Sequence, residues 1–271
     1  MSGLIGRGAT AFDRPAEPED FLLLAADAAR LVLESGGETY RAEETAQAVA
    51  MGLGAVDVEC FATPTGIVLS FSAPDGHVHS IVRRVATRRL DLDRIARTEA
   101  LVRDLVSGRI EGTEAAAVLG EIESSPERPL LVSLLAAGIG TGCYALFFGG
   151  TGKDALVAAF SGLLLSRMTR YLARRRISDF FTNLAGGFLV AAMALAAERF
   201  GLVSNPNLAI LGAAMYLVPG VAITNAIRDT IAGDLVAGVA RAADAFMSAT
   251  AIAVGAGSVL GLWGLMGGSL R

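Results

Sequence analysis

The sequence predicts a polytopic α-helical membrane protein of about five transmembrane helices, carrying an N-terminal cytoplasmic α+β domain. Three observations predict it. Hydrophobic residues make up 53% of the 271 and charged residues only 18%, against roughly 25% charged in an ordinary soluble domain. The charge is also unevenly spread: residues 1–129 hold 13 Arg/Lys and 21 Asp/Glu, whereas residues 130–271 hold 10 and 6. Finally, short helix and strand patterns give way after Pro129 to uncharged runs near the ~20 residues needed to cross a hydrocarbon core. The expected organisation is a disordered N-terminus over 1–18, an α+β domain over 19–128 and a transmembrane domain over 129–271.

In the first domain, Leu24, Ala28 and Leu31 mark one apolar face of a helix from Phe21 that stops at Gly36-Gly37. A second helix is expected from Thr39 to Met51, with Glu38, Glu43 and Glu44 suiting its positive N-terminal end. The period then changes to two. Val56, Val58, Cys60 and Ala62 alternate with Asp57, Glu59 and Phe61 as a half-buried strand would. Ile67–Ser72 and His77–Val82 complete a three-stranded meander, joined by turns at Thr63–Gly66 and Ala73–Gly76. Asp91 caps a helix to about Val106, and Thr113 opens another to about Ile122.

Leu130–Gly149, Phe180–Ala197, Pro206–Ile227 and Ala245–Met266 are uncharged and read as spans. Ala155–Leu172 makes the fifth if Arg167 and Arg170 snorkel toward the headgroups. Arginines 167, 170, 174, 175 and 176 crowd the second connection, and Arg228 and Arg241 are expected in the fourth, whereas the first and third hold only Lys153 and Arg199. The positive-inside rule therefore places the N-terminus in the cytoplasm and the C-terminus on the exoplasmic side. Twenty of the 32 glycines follow Pro129. Gly138/Gly140/Gly142, Gly186/Gly187 and the four-residue spacing of Gly257 and Gly261 suit close helix approach in lipid.

Composition excludes several functions. A net charge of −4 offers no basic face for nucleic acid. The two cysteines, Cys60 and Cys143, fall in different segments and predict no disulfide. Glu17, Glu19 and Asp20 ahead of the first apolar run argue against a cleaved signal. His77 and His79 share a strand face without a third ligand, so no metal is expected, and no cofactor. Ser70, Ser72 and Ser80 lack a nucleophile-elbow pattern, and no catalytic residue is assigned.

The informative stretch is Leu217 to Asp229, followed by Gly233-Asp234, Arg241 and Asp244. Pro219 and Gly220 should break the fourth span and bare backbone groups there. Asn225, Arg228, Asp229, Asp234, Arg241 and Asp244 then set opposite charges in close order beside the break. A carboxylate such as Asp229 or Asp244 suits proton exchange, and Arg228 or Arg241 suits a substrate carboxylate. Asn183 in the third span suits interhelical bonding ahead of ligand binding. In the first domain, Glu38, Arg41 and Glu44 form a candidate polar cluster, with a solvated helix face as the plainer reading.

Ser35-Gly36-Gly37-Glu38-Thr39-Tyr40-Arg41-Ala42-Glu43-Glu44-Thr45, Pro64-Thr65-Gly66-Ile67, Arg83-Arg84-Val85 and Leu217-Val218-Pro219-Gly220 through Arg228-Asp229, Gly233-Asp234 and Gly238 together resemble the threonine/serine exporter family, from about Phe21 onward. The resemblance implies an inner-membrane exporter of small amino acids, or of a dicarboxylate such as succinate in split systems, driven by the proton motive force. Long members carry a second, smaller membrane module. The resemblance therefore implies that a separate small membrane protein supplies it here. The expected partners are a small-molecule substrate, membrane lipid, that second protein and further copies of the chain in a homo-oligomer. Two rival classes are a membrane-embedded hydrolase and a metabolite-sensing regulatory subunit, each using the α+β domain.

Overall fold

The computed structural model describes residues 18–72, 77–86, 88–126 and 128–266. The expected disorder over 1–18 falls outside them apart from Pro18, and so does the turn expected at Ala73–Gly76. The chain divides into two compact units: residues up to Pro126 with Val221–Ala242, and Glu127–Gly220 with Ala243–Arg271.

The first unit begins with α1 (Pro18–Glu34) and α2 (Thr39–Gly52). Ala25, Ala26, Ala28, Ala29, Leu31 and Val32 are all buried, so α1 is enclosed on most sides rather than along one stripe. Strands β1 (Val56–Thr63), β2 (Gly66–Ser72) and β3 (Val78–Arg84) form an antiparallel sheet in the order β1-β2-β3. This is the expected meander. Ile67, Leu69 and Phe71 of the central strand face the core, and the period of two follows from the pleat. Helices α3 (Leu92–Val106) and α4 (Gly112–Ser124) complete the layer, and Asp91 caps α3 through the Arg94 N–H at 3.2 Å.

One inward position expected on β1 is turned out. Val56 is exposed because the register shifts between Val56 and Glu59, where Asp57 takes a φ of +52°. Such an irregularity resets the alternation for the residues before it.

The second unit holds α5 (Leu130–Phe147), α6 (Gly152–Arg174), α7 (Asp179–Arg199) and α8 (Pro206–Ala214). The fourth expected span is broken as Pro219-Gly220 predicts. α8 stops at Ala214, and α9 (Gly220–Ala232) starts only after a turn. That turn is less bare than expected. The N–H groups of Tyr216, Leu217 and Val218 donate to the carbonyls of Ala213 and Ala214.

The last helix, α10 (Leu235–Leu265), runs without interruption for 31 residues. It corrects the expected fourth connection: Arg228 lies inside α9, Arg241 and Asp244 lie inside α10, and only Gly233-Asp234 links the two helices. Gly233 takes a φ of +99°, which permits the tight link. Among the described residues, three helices are long and apolar enough to cross a membrane: Leu130–Phe147, Asp179–Arg199 and Leu235–Leu265. Only 17% of the α10 window is buried. A helix that is apolar yet uncovered needs lipid or a partner against it.

Glycines bring the second unit together, though not all those expected. A Cβ on Gly187 would lie 2.3 Å from the Ile252 carbonyl oxygen, and one on Gly255 would lie 2.1 Å from that of Leu184. α7 and α10 thus touch backbone to backbone. Gly257 and Gly261 face open space within the chain. They do not share the face of Gly255, since residues two and six further on point elsewhere around a helix.

Candidate functional site

The site lies in the first unit, where the turn between α1 and α2 meets α9 and the start of α10. Gly36 ends α1 in the left-handed region at φ +84°, and Gly37 donates to the Val32 carbonyl at 2.9 Å. A Cβ on Gly37 would lie 2.5 Å from Val32 Cγ1, so the turn has no room for a side chain there. The result is a tight hairpin that presents two carbonyls and then the first N–H of α2.

Glu38 occupies the position before α2 but makes no capping bond with its side chain. Asp229 of α9 takes that place. The Thr39 N–H donates to Asp229 Oδ1 at 3.0 Å and the Thr39 hydroxyl donates to Oδ2 at 3.1 Å. A carboxylate suits this spot, because helix N-terminal amides and the helix dipole both favour negative charge. Asn225, one turn earlier on the same face of α9, donates to the Gly36 carbonyl at 2.8 Å. Arg241 of α10 donates to the Gly37 carbonyl at 2.7 Å and holds its Nε 2.8 Å from Asp229 Oδ2.

Asp229 and Thr39 are both 0% exposed, and Arg241 is 5% exposed. Burying one such charge alone would cost several kcal/mol, on the order of the penalty for removing an ion from water. The opposite charge and the turn amide offset it. A second layer is wetter: exposed Arg228 donates to Glu38, which also faces Arg41 at 3.3 Å, and Arg41 reaches Glu99 on α3 at 2.5 Å. Burial on its own would raise the Glu38 carboxyl. Its backbone N–H, Arg228 and Arg41 outweigh that and hold it below the usual carboxylate range.

Two further carboxylates behave oppositely. Asp234 keeps Oδ2 buried without a hydrogen-bond partner, and burial together with the negative charge of Asp229 pushes it above its ordinary range. Glu43 rises through burial first and then through Asp234 and Asp229, although it accepts the Ala62 N–H at 2.7 Å. The arrangement therefore sets one closed ion pair, Asp229 with Arg241, beside two carboxylates whose pKa values are raised. Burial and Glu43 also push the Cys60 thiol up to about 12.

The structure thus gathers Glu38, Arg41, Asn225, Arg228, Asp229, Asp234 and Arg241. The remaining candidates lie elsewhere. Glu44 is exposed on α2 and Asp244 is exposed on α10, while Asn183, Pro219 and Gly220 belong to the second unit. Thr39, Glu43 and the carbonyls of Gly36 and Gly37 were not singled out in the sequence. Glu43 could have been, since it stands four residues after Thr39 and shares its helix face. Among the described residues no group of three or more His, Cys, Asp or Glu could hold a metal ion.

Comparison with known proteins supplies a family. The model described as "Putative threonine/serine exporter" matches residues 23–263. The chain is 28% identical over 230 residues to the "Probable threonine/serine exporter" of Mycobacterium tuberculosis, which covers 84% of this chain and 43% of that protein. It is 26% identical over 172 residues to the "Threonine/serine exporter" of Corynebacterium glutamicum, covering 62% of this chain and 35% of the other. It therefore spans less than half the length of either. The "Probable succinate transporter subunit YjjP" of Escherichia coli is 23% identical over 239 residues, 87% of this chain and 92% of that subunit. No solved structure matches the chain.

Proposed function

Because the chain belongs to the threonine/serine exporter family, we propose that it is a membrane subunit of a secondary active exporter. Its cargo in this reading is a small carboxylate-bearing metabolite, a threonine- or serine-like amino acid or a dicarboxylate such as succinate. The proton motive force drives it outward. The chain crosses the inner membrane five times, with the α+β domain cytoplasmic and the C-terminus exoplasmic, and a separate small membrane protein completes the transporter.

The observation that carries this reading is the buried Asp229–Arg241 pair on the Gly36–Thr39 turn. A buried ion pair is weak evidence of stability, since well-packed apolar residues do as well or better. Ionisable groups kept beside apolar helices are instead typical of substrate and proton pathways. The roles divide by environment. Asp229 has both oxygens engaged and is the fixed point. Arg228 is exposed and bound to Glu38, so it is the cation that a substrate carboxylate can recruit with a charge-assisted bond. Glu43 and Asp234 are the proton acceptors. Asp244, Asn183 and the Pro219-Gly220 break stay as further pathway candidates in the second unit.

Everted vesicles carrying the chain together with a small membrane protein of the second-module type should accumulate labelled threonine, serine or succinate when a proton gradient is imposed. Arg228→Gln should raise the KM for that substrate at least tenfold, while Asp229→Asn should abolish uptake. Uptake that ignores the gradient, or that is equal in both variants and wild type, would sink the proposal.

A further inference from the structure

The outer face of the sheet in the first unit is open, and the exporter reading does not use it. Ile67, Leu69 and Phe71 of β2 face the core, so the pleat turns Val68 outward. The register sets Val68 directly between Phe61 of β1 and Val82 of β3. All three are open to solvent, at 58% for Phe61, 45% for Val68 and 69% for Val82. The irregularity in β1 adds to them, because it turns Val56 onto the same side, in line with Ser72 and exposed Val78. Charge stands at the corners of this patch. One step along the strands, Gly66 pairs with Thr63 and Arg84; one step the other way, Ser70 pairs with Glu59 and Ser80. Glu59 and Arg84 are both exposed. Arg84 is set outward because its neighbour Arg83 reaches Asp27 of α1 at 3.1 Å on the inner side. Glu59 and Arg84 thus occupy diagonally opposite corners, with Val68 at the centre.

We infer that a second copy of this chain docks on this face, in a two-fold pair centred on Val68. Self-complementary charge names the occupant. A two-fold axis lying between the two faces and running along the other diagonal, from Thr63 past Val68 to Ser80, brings Glu59 of each copy onto Arg84 of the other. That reciprocal exchange is what an isologous interface requires. The same operation crosses the strands of the two sheets steeply, close to the orthogonal class of sheet packing. It lays the Phe61 ring over Gly66 of the second copy, which has no side chain to obstruct it, and seats the two Val68 side chains against each other. An anionic membrane surface is the poorer occupant, since exposed Asp57 and Glu59 on β1 would be repelled by it. An apolar row rimmed by polar and charged residues is also the usual mark of an association surface.

The pairing concerns the α+β domain alone, so it stands or falls separately from export. The full chain in mild detergent, with Cys60→Ala and Cys143→Ala, would carry one new cysteine and meet a short bis-maleimide whose reach suits the ~10 Å between packed sheets. Val68→Cys should give a product of twice the chain's mass at least tenfold faster than Ser107→Cys, which is exposed just after α3. Adding Glu59→Arg or Arg84→Glu to Val68→Cys should slow that coupling at least tenfold, because symmetry makes each reversal set like charges together twice. The double reversal Glu59→Arg/Arg84→Glu should restore the coupling, which also shows that the altered chains fold. Arg97→Glu, exposed on α3, should leave it unchanged. The second-copy interface is overturned if Val68→Cys couples no faster than Ser107→Cys, if the double reversal stays as slow as the single ones, or if the product carries a different polypeptide.

Discussion

Asp229 shows what a carboxylate without solvent requires. Both oxygens accept from Thr39 and one lies against Arg241, so no lone pair is left facing apolar surroundings. Asp234, five residues on, lacks such partners at Oδ2, and burial and then Asp229 hold its carboxyl above the ordinary range, as burial first holds Glu43. The consequence for stability has a definite sign. A group whose folded pKa is raised stabilises the fold below its ordinary value, and that contribution is lost as pH rises through the folded value. Asp234→Asn removes one such group and also one of the two charges that, after burial, lift Glu43. Melting temperature measured between pH 4 and 8 should therefore fall less steeply with rising pH in the variant, by a few degrees if the coupling is about 1 kcal/mol. The acid limb below pH 4 should persist, because Glu38 is shifted the other way and needs its charge. Identical slopes in variant and wild type would show that Asp234 does not couple. Sequence could flag Asp229 and Arg241 by their density beside a proline. It could not pair them with Thr39, because a contact between residues 190 positions apart leaves no periodic trace.

Elements here are defined by their ends and by how near they approach. Pro219-Gly220 splits α8 from α9 where the sequence says it should, since proline lacks the N–H and crowds the preceding turn. The start of α10 was hidden for a related reason. Polar residues at 241 and 244 resemble a loop by composition, yet neither breaks a helix, so α10 begins at Leu235. Glycine was likewise a partial guide: the Gly186-Gly187 pair does make a backbone contact, at Gly187, whereas on α10 the four-residue spacing selects Gly257 and Gly261 and the contact is made at Gly255. At Gly187 the obstacle is the Ile252 carbonyl, 2.3 Å from where an added methyl would sit, and a main-chain atom cannot rotate away. Gly187→Ala must therefore push α7 from α10 and should cost about 1–3 kcal/mol, the usual penalty for overpacking. Gly257→Ala, with open space around it, should be neutral. Thermal unfolding of both variants in the same detergent checks this, and equal midpoints would mean that the two helices are not closely packed.

For the whole molecule, the question is which helices cross the bilayer. Length and composition alone qualify α5, α7 and α10. They do not qualify α6, whose arginines dilute its apolar run, or the α8–α9 pair, whose break leaves 9 and 13 residues. Yet a charged terminus need not keep a helix out of lipid, because an arginine near the end can reach the headgroups with its aliphatic stem buried. The proposal that α6 crosses draws its support from loop charge. The first turn of α6 carries Lys153 and Asp154, which cancel, and its C-terminal end and the residues just after it carry Arg170, Arg174, Arg175 and Arg176, an asymmetry of the kind that fixes orientation. Single cysteines in a background without Cys60 and Cys143 can decide the matter. Ser107→Cys on the α+β domain and Ser178→Cys after α6 should react with an impermeant maleimide in everted vesicles and be protected in right-side-out ones. Lys153→Cys should show the reverse. If positions 153 and 178 label from the same side, α6 does not span and the number of crossings drops.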